Sequence, residues 1–308
     1  MISLVFPGQG SQYIGMGKDF SNAFPIANDV YNEVDDVLGF SLSKLIFNGH
    51  IEDLTLTKNA QPAIMATSIA ILRTMQKEGF NTKKTMFFAG HSLGEYTALC
   101  ASGAIGLADT AHILKMRGIF MQEAVSGEEG AMAAILGLNL DKVESLVDEI
   151  KGNEICEIAN DNEPNQLVLS GHRTAIEKAC EKAKFLGAKR AILLPVSAPF
   201  HCSLMATAQK NMISLISELK IEKPTTPIIQ NITSMPTQEI EEIRENLINQ
   251  ITGRVRWRES ILFMKKSGVK KVFEIGPGRV LCNLIRRIEN TIEQENISKV
   301  EDLVKLEN

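Results

Sequence analysis

The sequence predicts an α/β fold, with one large domain on a parallel sheet and a small ferredoxin-like α+β domain inserted into it. Three observations carry this expectation. Short apolar runs at Ile2–Phe6, Thr85–Ala89 and Val272–Ile275 alternate with long helical patterns at Ala63–Glu78 and Leu107–Ala124, the rhythm of parallel strands joined by helices. Between about Gly127 and Val196 the rhythm changes to β-α-β-β-α-β, the split βαβ order. At 308 residues and 44% apolar content, the chain can bury one large core or two unequal ones. The expected division is residues 1–126 with 197–308 for the large domain, and 127–196 for the small one.

The elements follow in order. Ile2–Phe6 is a buried first strand, and Phe6-Pro7-Gly8-Gln9-Gly10-Ser11-Gln12 is a Gly-rich loop leaving its carboxyl end, where α/β sites gather. A plain turn is the alternative. A phosphate loop is disfavoured because the Gly-Lys-Ser/Thr ending is absent. Thr85–Ala89 is a second buried strand and Leu93–Ala101 the helix after it. In the insert, Met132–Leu136 is a strand, Leu140–Ile150 a helix, Cys156–Ala159 and Gln166–Ser170 a strand pair, Thr174–Phe185 a helix and Arg190–Leu194 the closing strand. Asn165, in the turn Asn162–Asn165, is expected to take the positive φ that asparagine tolerates. Beyond Asn290 the polar tail carries Ile297, Val300, Leu303 and Val304 at helical spacing, which predicts a peripheral helix.

Composition excludes several classes. A net charge of −4 argues against broad nucleic-acid binding, which needs a basic excess to neutralise phosphates. No apolar stretch is long enough to span a bilayer, and Met1–Gly8 reads as strand and turn instead of a signal peptide. Five scattered cysteines without paired spacing fit a reducing compartment, with the cytoplasm as default, and fit neither a disulfide framework nor a zinc site.

The stretch Gly90-His91-Ser92-Leu93-Gly94 has the Gly-x-Ser-x-Gly pattern of a nucleophile elbow, a sharp strand-to-helix turn that exposes the serine hydroxyl. Alone it is weak, recurring by chance in roughly one chain of this length in ten. The flanking strand and helix supply the required context. A serine also needs a base. Of five histidines, His91 reads as support for the elbow, His50 lies in a polar turn, His112 rides a packing helix and His172 sits in a turn of the insert. His201 stands where a Pro-containing loop (Val196–Cys202) enters a new helix at the insert junction, and is either the base or a satisfied structural histidine. The Leu93 N–H and the Gly8–Gln9 loop are candidate oxyanion donors. Arg117 is the odd residue of an apolar helix: periodicity alone favours a snorkelling surface arginine, whereas a buried one would clamp a carboxylate.

Taken together, Phe6–Gln12 (FPGQGSQ), Asn59–Ala63 (NAQPA), Gly90–Tyr96 (GHSLGEY), Lys115–Gly118 (KMRG), Val196–His201 (VSAPFH), Asn231–Thr233 (NIT), Val255–Trp257 (VRW) and Glu274–Leu281 (EIGPGRVL) resemble the malonyl-CoA:acyl carrier protein transacylases, in order and across nearly the whole chain. The resemblance implies an α/β-hydrolase-like large domain and ping-pong transfer of malonyl through a Ser92 ester, with His201 as general base. It implies Gln9 and Leu93 as the oxyanion hole, Arg117 holding the malonyl carboxylate, Gln61 lining the pocket, and the Gln250 main-chain carbonyl orienting His201. No metal or redox cofactor is implied. The implied partners are malonyl-CoA and holo acyl carrier protein, and a monomer is expected.

The chain departs from the family's pattern at Phe200, where a small residue is common and a ring restricts branched acyl groups, and at Asn165 and Gly253-Arg254. Two rivals remain at this point. A serine hydrolase or thioesterase uses the same elbow, but no acid stands out as its third member and His201 is far from the C-terminus. A non-catalytic carrier-docking module would not need Ser92, His201 and Arg117 together. Arg254, Arg256, Arg258, Lys189 and Arg190 could form a basic docking patch, although solvated charge is the commoner role for each.

Overall fold

A computed structural model describes residues 1–125, 129–150 and 152–306. Its strands are β1 (Ile2–Phe6), β2 (Thr85–Gly90), β3 (Gly130–Leu136), β4 (Cys156–Glu163), β5 (Gln166–His172), β6 (Arg190–Leu193), β7 (Ile228–Ile229), β8 (Pro236–Thr237), β9 (Lys271–Ile275) and β10 (Glu293–Ile297). Six of them form one sheet in the order β10-β9-β1-β2-β7-β8, parallel except for the last pair. The other four form an antiparallel sheet in the order β4-β5-β3-β6, with helices Leu140–Ile150 and Arg173–Phe185 as its two crossovers. That is the split βαβ topology read from the sequence. The predicted boundary between 126 and 127 lies outside the described residues.

Strand alternation explains why the large sheet reads as unbroken apolar runs. Leu4, Phe6, Phe88, Phe273 and Ile275 face one core, whereas Val5, Phe87, Ala89 and Val272 face another around Trp257 and Ile261, so helices cover both faces. In the small sheet the same period of two does different work. Ala131, Ala133, Ile135, Leu167 and Leu169 pack on its own helices, and Met132, Ala134, Gln166 and Val168 turn toward the large unit. The units are stitched by main-chain bonds between Val255 and the Ala159 and Asp161 backbone at 2.8 and 2.9 Å, and by a two-toothed Arg258–Asp161 pair at 2.7–3.0 Å with Asp161 buried.

Three expectations are corrected. The helix expected from Ala63 begins at Thr57, with Pro62 inside it. This first turn packs tightly on Gly118, where a Cβ would stand 2.6 Å from the Lys58 Cα, so tertiary contact outweighs the proline's lost hydrogen bond. The Asn165 turn needs no positive φ: among described non-glycine residues only Ser92, His201 and Ser234 have one. Pro164 at the first turn position presets a negative φ, and the turn closes in two residues. Finally, the tail is not simply a helix. Glu293–Ile297 adds an edge strand parallel to β9, and a 3₁₀ helix, Val300–Leu306, follows. Polar side chains on an edge strand hide the alternation that would announce it.

The elbow depends on a close approach of the helix Leu93–Ala101 to β1. A Cβ on Gly94 would collide with the Phe6 main-chain oxygen and lie 3.0 Å from the Pro7 oxygen, and neither backbone has room to move. Gly94→Ala is therefore expected to cost about 2–3 kcal/mol, the upper range for overpacking. A urea midpoint unchanged from wild type would contradict it.

Candidate active site

Because β1 and β2 are parallel neighbours, their carboxyl ends bring the Gly8–Gln9 loop against the His91–Ser92 turn. Gly8 has to be glycine here, since a Cβ would sit 2.7 Å from the His91 oxygen. Ser92 has φ 54° and ψ −109°, a strained conformation for a side chain that is not glycine. Side-chain amides hold it there. Asn231 Oδ1 accepts the Ser92 N–H at 2.8 Å, and Gln250 Nε2 donates to the Ser92 carbonyl at 2.9 Å. Asn231 is itself fixed by donating Nδ2–H to the Gly90 oxygen at 2.7 Å and its backbone N–H to Glu95 Oε2 at 2.8 Å.

His201 is brought in by the loop after β6, also at positive φ (58°). Its Nε2 lies 2.7 Å from Ser92 Oγ, and its Nδ1 lies 2.8 Å from the Gln250 main-chain oxygen. A carbonyl only accepts, so the proton belongs on Nδ1 and Nε2 is left free to accept from the serine. Burial first, and the Arg117 charge second, push His201 down to about 3, which keeps the ring neutral and basic in form through the physiological range.

Arg117 is buried, with 1% of its surface exposed, and the snorkelling alternative is set aside. Its Nη1 donates to Gln61 Oε1 at 2.8 Å, and its Nη2 donates to Gln250 Oε1 at 2.9 Å and Ser92 Oγ at 3.2 Å. The Tyr96 ring stacks 5.5 Å away. Among the described residues no carboxylate pairs with it, and burial lowers its pKa. Gln61 reaches this position because the helix Thr57–Lys77 meets the helix Leu107–Glu123 at Gly118. Gln9 Nε2 donates to Thr57 Oγ1 at 3.3 Å, and Thr57 shares a hydrogen bond with Ser197 at 3.1 Å. Leu93 is the first residue of its helix, so its N–H has no acceptor within that helix.

These residues line one cleft of about 490 Å³ between the units. Its floor is the Ser92 turn, its roof the outer face of the small sheet (Met132, Ala134, Asn160, Gln166, Val168), and Phe200 narrows it beside His201. Ser92, His201, Arg117, Gln61, Gln9 and Leu93 all border it, and Gln250 supports it from behind. Reading the sequence missed Asn231 and Glu95 as supports, and missed the Gln250 side chain. All three belong to blocks quoted above or to a neighbouring helix, but nothing local marks their side chains as buried.

The remaining candidates sort away from the cleft or into supporting roles. His91 Nε2 bonds Asn162 Oδ1 at 2.8 Å, tying the elbow to β4, and its ring lies against Trp257. His172 accepts the Ile155 N–H at 2.7 Å. Cys202 is buried against the Pro199 oxygen, its thiol pushed up to about 11 by burial, which suits packing better than reactivity. Arg254, Arg256 and Arg258 pair with Glu144, Glu259 and Asp161 at 3.2, 3.0 and 2.7 Å.

The family described as acyl transferase domain matches residues 3–306. The chain belongs to the acyl transferase domain family. Similar members of this family include the malonyl CoA-acyl carrier protein transacylase of Bacillus subtilis (strain 168), 42% identical over 304 residues, covering 98% of this chain and 95% of that one. The Escherichia coli (strain K12) transacylase is 39% identical over 290 residues, covering 94% and 93%. Among solved acyl transferases, an acyl-carrier-protein-S-malonyltransferase from Bartonella henselae superposes with a TM-score of 0.97 at 47% identity, covering 99% and 97%. A malonyl-transacylase in complex with a type II PKS acyl-carrier protein superposes at 0.96, with 38% identity and coverage of 99% and 98%.

Proposed function

We propose that this acyl transferase moves a malonyl group from malonyl-CoA to the phosphopantetheine thiol of acyl carrier protein. The observation that carries the reading is Arg117: a buried guanidinium with no carboxylate ion-paired to it among the described residues, 3.2 Å from Ser92 Oγ, fits an acyl group that brings its own carboxylate. His201 Nε2 takes the Ser92 proton as Oγ attacks the thioester carbonyl. The oxyanion that forms is met by the Leu93 N–H and by Gln9, and the departing CoA sulfur takes the proton back from His201. In the second half the carrier thiol gives its proton to His201 and attacks the malonyl ester, and Ser92 recovers its hydroxyl. The dyad is oriented by the Gln250 carbonyl, which favours it over a triad hydrolase, because a main-chain oxygen occupies the place at Nδ1 where a triad puts its carboxylate.

The exchange of one thioester for another releases little free energy, so the enzyme's task is to select the acyl group and exclude water. These side chains suffice for every proton and charge, and we assign no metal or redox cofactor. We take residues 1–126 with 197–308 as the catalytic domain and 127–196 as the small domain roofing it. No helix among the described residues is long and apolar enough to cross a membrane. With five free cysteines, we place the activity in the cytoplasm.

The test uses malonyl-CoA alone. Intact-mass analysis is expected to find one malonyl adduct, and peptide mapping to find it on Ser92. An unmodified protein rejects the reading, and free malonate appearing as fast as CoA supports a hydrolase instead.

A further inference from the structure

Glu95 takes part in none of the steps above, yet it lies one amide from Arg117. It is fully buried on the helix Leu93–Ala101, three residues past the serine. Its Oε2 accepts from the Asn231 N–H at 2.8 Å and from Gln250 Nε2 at 3.1 Å, whereas Oε1 is buried with no hydrogen-bond partner among the described residues. The same Gln250 amide accepts from Arg117 Nη2 at 2.9 Å. One side-chain amide thus bridges a buried acid and a buried base, its donor toward the acid and its acceptor toward the base. A carboxylate with one oxygen unsatisfied in the interior is costly to keep.

We propose that Glu95 is a positioning residue that tunes acyl selectivity through Gln250. As a carboxylate it polarises the amide and competes for the Arg117 charge, and as a carboxylic acid it leaves that charge to the acyl group. The proposal rests on the reading that Arg117 holds a malonyl carboxylate. Burial pushes the Glu95 carboxyl up to about 7, opposed by the Asn231 and Gln250 hydrogen bonds and then by Arg117. The charged and titratable groups facing it are Arg117, from the helix Leu107–Glu123, and Tyr96 on its own helix. Nearby His201 stays neutral over the same window.

Malonyl arrival neutralises Arg117, removing the positive charge that favours Glu95 ionised, so a proton from water adds to the carboxyl. The linkage is reciprocal: protonating Glu95 strengthens malonyl binding by the same factor. A shift of about one pKa unit corresponds to about tenfold in selectivity.

The experiment measures acylation kcat/KM for malonyl-CoA and acetyl-CoA between pH 6 and 8.5, in wild type and Glu95→Gln. In the wild type the malonyl-to-acetyl ratio is expected to fall severalfold, up to about tenfold, as pH rises through 7. Glu95→Gln should hold a flat ratio near the wild type's low-pH value. A flat wild-type ratio, or the same slope in Glu95→Gln, overturns the proposal, whereas no malonyl-enzyme at any pH overturns the functional reading and this one with it. If Glu95→Gln does not fold, proton uptake by the wild type decides. Forming the malonyl ester from the thioester leaves no net proton at pH 7, so uptake of a fraction of a proton in the acylation burst supports the role and none refutes it.

Discussion

Ser92→Ala and His201→Ala are each expected to reduce malonyl-enzyme formation by about 10⁴–10⁶-fold, and the double variant to be no worse than the poorer single one. The two side chains act as one unit: the 2.7 Å contact passes the proton, and Arg117, the other group on Ser92 Oγ, can only donate. Stopped-flow release of CoA checks this, with circular dichroism to show intact folds. Multiplicative losses in the double variant would mean that the two act separately. The acid limb of kcat/KM reports the free enzyme's base, and His201 is held down to about 3, so the wild-type rate should not fall as pH drops from 7 to below 5. An acid limb centred near the ordinary histidine value of about 6.5 would show that burial and Arg117 do not act as described.

Much of this site was legible because its chemistry is written in local patterns. Gly90 is demanded by backbone contact across the strand-to-helix turn and Gly94 by the close approach of β1, and such contacts leave a fixed spacing in the sequence. Sequence position set His201 apart at a domain junction but left it open between base and structural histidine, and only the family resemblance chose between them. Glu95 and Arg117 were not legible from periodicity, because a charged residue on a helix looks the same whether its face meets solvent or another helix. The Gln250 carbonyl carries no sequence signal of its own, since any residue has one, and only family resemblance pointed to it. In the fold, the apolar strands β1, β2 and β9 announced themselves by being buried on both faces. The polar edge strand β10 escaped, because only Ile297 and Asn296 of its five residues are buried.

Arg117→Ala should lower malonyl acylation by about 10²–10³-fold, the scale for leaving a charged group unpaired in a buried site, roughly 3–5 kcal/mol at most. Acetyl acylation should rise in the same variant. The reason lies in the order of forces on His201: after burial, the Arg117 charge is what most opposes protonating the ring. General-base catalysis needs that ring protonated in the transition state. A malonyl carboxylate cancels the Arg117 charge and so eases the proton transfer, whereas an acetyl group leaves the guanidinium bare beside a forming imidazolium. Selectivity should therefore appear in kcat as well as KM. Alanine removes both the clamp and the penalty, inverting the preference and raising the acid limb of the pH profile. Arg117→Lys should not rescue malonyl transfer fully, since an ammonium cannot match the planar fork held between Gln61 and Gln250 at 2.8 and 2.9 Å. If Arg117→Ala lost acetyl and malonyl activity equally while remaining folded, the arginine would be a structural support of the serine and not the selector of the acyl group.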